Sequence, residues 1–238
     1  YADGDACDSV TLDAMWQGNT MYPEYLSDLH VIVCPSDGDG ENRWQGGRWN
    51  CGGPNSDRTQ NPTCPCQVDS LSYTYLGWTL DETYYLVDGV NPNDPSIPFD
   101  MSSVGSVYDT GIVTSLATLY AQYEAATTVA AAAALADKDL EVQHANPPRT
   151  MKAYRFREGI ERFFITDINN PAASAQAQSE IAVQWDNAMA SAQNFNHVPG
   201  GGNVLYMDGH VAFVRYPGEH PICKAFASLL NLTGLMSK

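Results

Sequence analysis

The sequence predicts an α+β fold in which an antiparallel sheet ends in a C-terminal β-hairpin and carries disulfide-tied loop insertions. Three observations support this fold class. An Asp-Gly pair separates two β-prone runs within residues 203–214, which is typical of a hairpin. Apolar residues between 112 and 123 recur at helical spacing. Glycine and proline interrupt residues 35–68, and four of the six cysteines lie in or beside that stretch.

The hairpin at residues 203–214 is the most strongly predicted local structure. We expect Asp208 and Gly209 to form a two-residue loop, with Met207 opposite His210. In that register His210 lies on the outer face of the sheet. Four apolar side chains then share the face that we expect to contact the core: Val204, Tyr206, Val211 and Phe213.

The remaining elements follow from apolar periodicity and from turn residues. Short apolar or alternating runs predict four strands, at residues 30–34, 71–80, 84–87 and 181–185. Helical spacing predicts a helix from residue 112 that continues through strong helix formers until Asn146 and two prolines stop it. Further helices are predicted at 171–177 and 222–230.

These elements indicate one domain over residues 1–238. The cysteine-, glycine- and proline-rich stretch at about 35–68 is a loop insertion. The helical stretch at about 109–145 is a second insertion.

Charge is distributed unevenly along the 238 residues, whose formal net charge is −16. Residues 1–100 contain 16 acidic and three basic residues, whereas residues 151–238 contain seven of each. Nucleic acid is excluded as a partner because phosphate binding needs a basic surface. The acidic excess either keeps the chain soluble, binds cations or contacts a complementary surface on another copy.

The six cysteines predict a disulfide framework in an oxidising compartment. They are Cys7, Cys34, Cys51, Cys64, Cys66 and Cys223. Their pairing stays open, except that so tight a ring between Cys64 and Cys66 would be strained. Zinc is the weaker alternative for the loop cysteines, since Cys64 and Cys66 are spaced C-x-C and the nearest histidine is distant in sequence.

Residues 196–211 resemble the C-terminal signature of bacterial prepilin-type proteins known as H-x9-DG proteins. These proteins are similar to type IV pilins and to type II secretion pseudopilins. The segment contains His197 and the Asp208-Gly209 pair, separated by ten residues. Three further stretches fit the family in the same order: residues 21–37 with Tyr-Pro-Glu-Tyr-Leu and Cys-Pro-Ser-Asp, residues 157–171, and residues 179–186.

The resemblance implies a pilin-like head that assembles with identical subunits into a helical filament, outside the cell, on its surface or in the periplasm. It also implies an apolar helix of about 25 residues at the N-terminus, the family's only membrane contact. The chain opens with residues that resemble those directly after such a helix.

The signature residues allow a structural and a chemical interpretation. They are His197, Asn203, Asp208, Gly209 and His210. The turn explains Asp208 and Gly209 without any chemistry, and His197 can fix the loop by hydrogen bonding. The chemical alternative is a metal site or an acid–base pair built on the histidines and Asp208. The sequence contains neither a G-x-S-x-G nor an H-E-x-x-H motif, and we therefore predict no enzymatic activity.

An acidic loop is the candidate metal site. Its oxygen ligands would be Asp37, Asp39, Glu41 and Asn42. Alternating carboxylates on a glycine-rich loop suit Ca²⁺, although the spacing is not that of an EF-hand. The alternative is a solvated acidic loop.

Trp44, Trp49 and Arg48 belong to the same cysteine-rich stretch. Exposed aromatic residues beside arginine can stack on sugars or contact a partner. In the alternative interpretation the tryptophans fill a small core inside the loop.

We therefore predict a structural subunit of an extracellular or periplasmic pilus-like filament. The first alternative is a secreted carbohydrate- or calcium-binding module that uses the tryptophan- and arginine-containing loop. The second is a secreted hydrolase that uses His197 and Asp208.

Overall fold

The structure is a computed structural model, and it combines short helices with antiparallel strands. It describes residues 13–53, 55–56, 60, 62–98, 101–164, 177–188, 195–197 and 200–233. The α-helices are α1 (Gly18–Met21), α2 (Gly40–Gln45), α3 (Glu82–Tyr85), α4 (Thr110–Glu124), α5 (Val129–Ala136) and α6 (Lys224–Thr233). The strands are β1 (Tyr73–Thr74), β2 (Leu140–Ala145), β3 (Pro148–Ala153), β4 (Ala182–Asp186), β5 (Gly201–Tyr206) and β6 (Val211–Arg215).

A four-stranded antiparallel sheet has the order β1-β4-β5-β6, which places β6 at one edge. The second sheet is a separate hairpin of β2 and β3. The predicted α+β class with an antiparallel sheet and a C-terminal hairpin is thereby confirmed.

The two faces of the four-stranded sheet pack against different cores. On one face Trp185 and Val204 are buried in the larger core, where the Trp185 ring lies 5.7 Å from that of Phe226 in α6. On the other face Tyr73 packs against a smaller core formed by the N-terminal segment. The buried members of that smaller core are Leu29, Ile32, Val33, Trp49, Val68 and Leu71.

The predicted β5–β6 hairpin is present, but its register differs by one residue. Leu205 pairs with Val211 and Asn203 pairs with Phe213. The loop therefore has three residues, 207–209, and the Tyr206 amide donates to the His210 carbonyl. Gly209, with a φ of 89°, is the loop residue in the left-handed region, as expected for a three-residue hairpin loop.

This shift overturns the predicted core face. Val204 remains buried, but Val211 and Phe213 lie on the opposite face and are 60% and 54% exposed. His210 stacks on Tyr206, with 4.5 Å between ring centroids, so it shares the face that it was predicted to avoid. A one-residue slip moves each side chain of one strand to the other face.

The predicted helix from residue 112 to Asn146 is confirmed only in part. Helix α4 begins where Asp109 caps it, with its carboxylate accepting from the Gly111 amide. The chain then leaves the helix after Glu124, forms the short α5 and turns back as β2 and β3. Leu140, Val142 and His144 alternate into the core along β2, and this period of two favours a strand over the predicted helix.

Two predicted strands are instead helical turns. Residues 30–34 contribute to a 3₁₀ turn, Leu29–Ile32, which Asp28 caps. Tyr84 and Tyr85 end α3, which Asp81 caps, and Leu86 forms an isolated bridge with Tyr108. In both cases an aspartate directly before the first residue of the helical turn accepts a hydrogen bond from the backbone amide two residues further on.

The remaining predicted elements are confirmed only in part. The strand at 181–185 and the C-terminal helix are confirmed as β4 and α6. Of the predicted strand at 71–80, the two residues of β1 are extended in the sheet. The predicted helix at 171–177 lies outside the described residues except for its last position.

The prediction that all six cysteines form disulfides is wrong for two of them. Cys51 bonds to Cys64 across the loop insertion, and Cys66 is also disulfide-bonded. Cys34 and Cys223 are free, buried thiols. Cys34 contacts a histidine, and the Cys223 sulfur lies 3.3 Å from the Tyr85 hydroxyl in the core. Cys7 lies outside the described residues.

Within the described part of the chain, no helix combines the length and the apolar character needed to cross a membrane.

Candidate functional site: a buried cysteine, aspartate and histidine

Cys34, Asp186 and His197 meet on the face of the sheet that packs against the smaller core. We call them the Cys-Asp-His cluster. The His197 Nε2 atom lies 3.0 Å from the Asp186 Oδ2 atom and 3.6 Å from the Cys34 sulfur. Asp186 is 1% exposed, Cys34 is buried and the His197 side chain is 26% exposed. Cys34 and His197 are 163 residues apart in sequence.

Each member is positioned by a different element. Asp186 ends β4, where it pairs with Tyr73 of β1. His197 forms a bridge with Gly201 at the start of β5. Cys34 follows the 3₁₀ turn that the smaller core holds in place. The cluster therefore joins the N-terminal segment to the C-terminal strands.

Asparagine side chains surround the carboxylate of Asp186. Both the backbone amide and the side-chain Nδ2 of Asn203 donate to Asp186 Oδ2, at 2.7 and 2.8 Å. Asn196 Nδ2 donates to Asp186 Oδ1 at 3.4 Å and also to the Ser72 carbonyl. These donors fix the orientation of the carboxylate and compensate for its burial.

The surroundings of Cys34 disfavour its thiolate form. Burial raises the pKa of the Cys34 thiol, and the negative charge of Asp186 raises it further. The backbone amides of Ser36 and Asp37 and the side chain of Tyr73 act in the opposite direction without reversing the shift. Reactive cysteines have a lowered pKa, so Cys34 lacks the usual property of a nucleophile.

The geometry also differs from a catalytic triad. In a triad the imidazole contacts the nucleophile through one nitrogen and the carboxylate through the other. Here both Cys34 and Asp186 approach the Nε2 atom of His197. This arrangement cannot relay a proton from the sulfur through the ring to the carboxylate. The three ligand atoms do lie within 4.8 Å of one another, close enough to hold one metal ion.

The structure separates the signature residues that the sequence placed together. His197 and Asn203 belong to the Cys-Asp-His cluster and its surroundings, whereas Asp208, Gly209 and His210 lie at the far end of β5. That strand spans about 17 Å for its six residues. An acid–base pair of His197 and Asp208, the basis of the hydrolase alternative, is therefore not formed.

At the hairpin tip Asp208 supports the turn. Its carboxylate accepts from the backbone amide of His210 at 3.0 Å and contacts the ring Nδ1 atom at 2.6 Å. These contacts lower the pKa of Asp208, with the backbone hydrogen bond as the largest cause. The structural interpretation of this turn agrees with its geometry.

The carboxylates of Asp37, Asp39 and Glu41, all of them described residues, do not lie within 4.8 Å of one another. Asp37 is buried and accepts from the Ser72 hydroxyl and the Asp39 amide. Glu41 instead contacts the His30 ring at 2.7 Å. Asn42 lies within α2. Among the described residues, the Cys-Asp-His cluster is the group of three or more histidine, cysteine and carboxylate side chains whose ligand atoms converge.

Trp49 and Arg48 are used inside the loop insertion. Trp49 is fully buried in the smaller core, and its indole nitrogen donates to Asp69 Oδ1 at 3.0 Å. Arg48 pairs with the same carboxylate at 2.7 Å. Trp44 stacks on the His30 ring and packs against the smaller core. The small-core interpretation is confirmed for Trp49, because a buried indole cannot stack on a sugar.

Two residues of the cluster were not recognised as a site from the sequence. Cys34 was assigned to a disulfide and Asp186 was not singled out. Both lie in stretches that carry the family resemblance, Cys-Pro-Ser-Asp and Trp-Asp. That both stretches resemble the same family was the signal in the sequence that Cys34 and Asp186 belong to one site.

Comparison of the chain with protein-family models, with curated proteins and with solved structures finds no match in any of the three.

Proposed function

We propose that this chain is the head of a pilin-like structural subunit that self-assembles into an extracellular or periplasmic filament. The observation that carries the proposal is the convergence of the resembling segments. Cysteine from the first stretch, aspartate from the third and histidine from the signature form one cluster. A shared structural role explains why three distant stretches resemble the same family.

The chemistry of the described sites favours a structural role over an enzymatic one. His197 is approached by Cys34 and Asp186 through one nitrogen, and the Cys34 thiol has a raised pKa. The contacts of Trp49 and Arg48 with Asp69 weigh against the carbohydrate-binding alternative, since these side chains are occupied internally.

The edge strand β6 offers a surface for contact with a second copy. Its alternate residues Val211, Phe213 and Arg215, which we call the edge stripe, are exposed on one face. Exposed apolar residues on an edge strand favour association with another chain. The positive charge of Arg215 complements the acidic excess of residues 1–100.

Two other arginines of the C-terminal half, Arg155 and Arg157, contact groups within the subunit. Arg155 donates to the Gly77 carbonyl at 2.6 Å and lies over the Trp78 ring. Arg157 pairs with Asp139 at 3.2 Å. Arg215 is therefore the better candidate for an intersubunit ion pair.

Electron microscopy of the native source tests the assembly directly. Cells that express the full gene should carry filaments labelled by an antibody against this chain. Phe213→Asp in the full gene should abolish or shorten the filaments, because it places an acidic group in the edge stripe. Tyr120→Asp is the matched control, since Tyr120 is equally exposed on α4 and lies outside the stripe. Absence of labelled filaments from the wild-type source would overturn the proposal.

A further inference from the structure

We propose that the Cys-Asp-His cluster binds one Zn²⁺ ion through Cys34 Sγ, Asp186 Oδ2 and His197 Nε2. This inference does not depend on filament assembly and concerns a site that neither the acidic loop nor the turn motif predicted.

The spacing of the ligand atoms fits a tetrahedral zinc site. Zinc lies about 2.3 Å from sulfur and about 2.0–2.1 Å from nitrogen or oxygen, so tetrahedral ligand atoms are separated by about 3.3–3.6 Å. The nitrogen in the cluster lies 3.6 Å from the sulfur and 3.0 Å from the carboxylate oxygen. All three ligand atoms lie within 4.8 Å of one another, so we expect side-chain movements to be enough to centre an ion among them.

The ligand types select zinc over calcium. Thiolate and imidazole suit zinc, whereas calcium takes oxygen ligands. Binding replaces the thiol proton of Cys34 with the metal and releases that proton to solvent. The charges of the thiolate and of Asp186 then balance the two positive charges of the ion.

Surrounding groups hold the ligands in place before an ion arrives. Two donors of Asn203 orient the Asp186 carboxylate, and the amides of Ser36 and Asp37 point to the Cys34 sulfur. Hydrogen bonds from such outer groups are a common feature of zinc sites. The ring of Phe213 packs edge-on against His197, with 6.1 Å between centroids.

Solvent can reach the cluster from the side of His197. Its side chain is 26% exposed, whereas the other two ligands are buried. Three protein ligands leave one position for water, or for a donor from outside the chain.

Metal titration of the folded chain tests the site. Protein freed of metal by a chelator should bind one Zn²⁺ in competition with a chromophoric chelator. Co²⁺ should give a sulfur-to-cobalt charge-transfer band in the near ultraviolet, which reports a thiolate ligand. Zinc at about 100 times its Kd should raise the Tm by about 5–10 °C.

Variants identify the ligands. Cys34→Ser should remove the charge-transfer band and weaken Zn²⁺ binding at least 100-fold, and Asn203→Ala should weaken it about 10–100-fold by loosening Asp186. Cys223→Ser is the matched control, because Cys223 is the other buried free thiol and lies outside the cluster. It should keep both the band and the affinity.

Several outcomes would overturn the zinc site. One is a charge-transfer band that persists in Cys34→Ser, and another is wild-type protein that binds no zinc at micromolar concentration while its melting curve shows it to be folded. Alkylation of the folded chain with iodoacetamide, with and without Zn²⁺, gives a second readout. Zinc should slow modification of Cys34 at least tenfold and leave that of Cys223 unchanged.

Discussion

Two buried aspartates, Asp109 and Asp186, show how the same side chain serves two different arrangements. Each is 1% exposed and each lies beside a histidine, His144 in the first case and His197 in the second. Each also accepts a backbone amide at 2.7 Å, from Gly111 and from Asn203 respectively. Their remaining contacts differ.

Asp109 is surrounded by backbone donors. Besides Gly111 it accepts from the amides of Ala145 and Asn146 at 3.1 Å, and so ties the start of α4 to the turn between β2 and β3. Asp186 is surrounded by side chains, including a thiol and an imidazole. Backbone donors cannot exchange for a metal ion, whereas side-chain ligands can. The groups that contact a buried carboxylate, and not its burial, therefore distinguish a structural role from a role as a metal ligand.

The largest effect is expected at Asp186. Asp186→Ala should lower the free energy of unfolding by about 4 kcal/mol, because it leaves the donors of Asn203 unsatisfied in a buried site. Urea unfolding measures this change. Val211→Thr, at an exposed position in the same sheet, should alter stability by less than about 0.5 kcal/mol. A loss below about 1 kcal/mol at Asp186 would show that the cluster does not join the two parts of the chain.

A somewhat smaller loss of stability is expected when Asp109 is replaced. Asp109→Ala removes a helix cap and the acceptor for the amides of Ala145 and Asn146, at a cost of about 3 kcal/mol. The matched control is Thr128→Ala, which removes the cap of α5 and nothing else, at about 1 kcal/mol. Equal losses in the two variants would mean that the hydrogen bonds from the β2–β3 turn to Asp109 contribute nothing to stability.

Acid should reveal the contribution of the Asp109 charge. Burial alone would raise the pKa of Asp109, but the amides of Gly111, Ala145 and Asn146 outweigh it and lower that pKa. The resulting stabilisation is fully present above the unfolded pKa of about 3.9 and is lost as the pH falls through the lower folded value. The stability difference between wild type and Asp109→Asn should therefore narrow below about pH 4, by at most about 1.4 kcal/mol per pH unit. A constant difference between pH 6 and pH 3 would contradict this assignment.

The smallest effect is expected at a third aspartate–histidine pair, at the exposed hairpin tip. Asp208→Asn should leave the Tm within about 1 °C of wild type, because an amide oxygen still accepts from the His210 backbone. Gly209→Ala should lower stability by about 1 kcal/mol, since its φ of 89° disfavours a side chain. A larger loss in Asp208→Asn than in Gly209→Ala would indicate that the exposed charge pair matters more than the turn.

Local chemistry explains which parts of the fold could be predicted. The Asp208-Gly209 pair correctly predicted a hairpin, and apolar spacing correctly predicted α4 and α6. The register could not be derived, because an Asp-Gly pair fits both two-residue and three-residue hairpin loops. The two loop lengths place Phe213 on opposite faces of the sheet. The strand β2 was missed because its alternation is short and follows an alanine-rich helix.

The candidate site could not be predicted from sequence patterns, for a different reason. An even number of cysteines favours pairing, yet it says nothing about where the fold places Cys34. The partner of His197 is set by the pairing of β4 with β5, which brings Asp186 beside the start of β5. Sequence proximity favoured Asp208 as the partner of His197 instead, but Asp208 lies in the turn beyond the far end of β5.

The pairing of β1 with β4 also constrains the order in which the chain can fold. Thr74 and Asn187, which are joined by a hydrogen bond beside these strands, are 113 residues apart. A chain emerging from its N-terminus therefore exposes β1 and the Cys34 thiol until the C-terminal strands follow. Pairing over such distances closes large loops and slows folding. During synthesis this chain would thus need protection of its unpaired segments for longer than a protein built from local contacts.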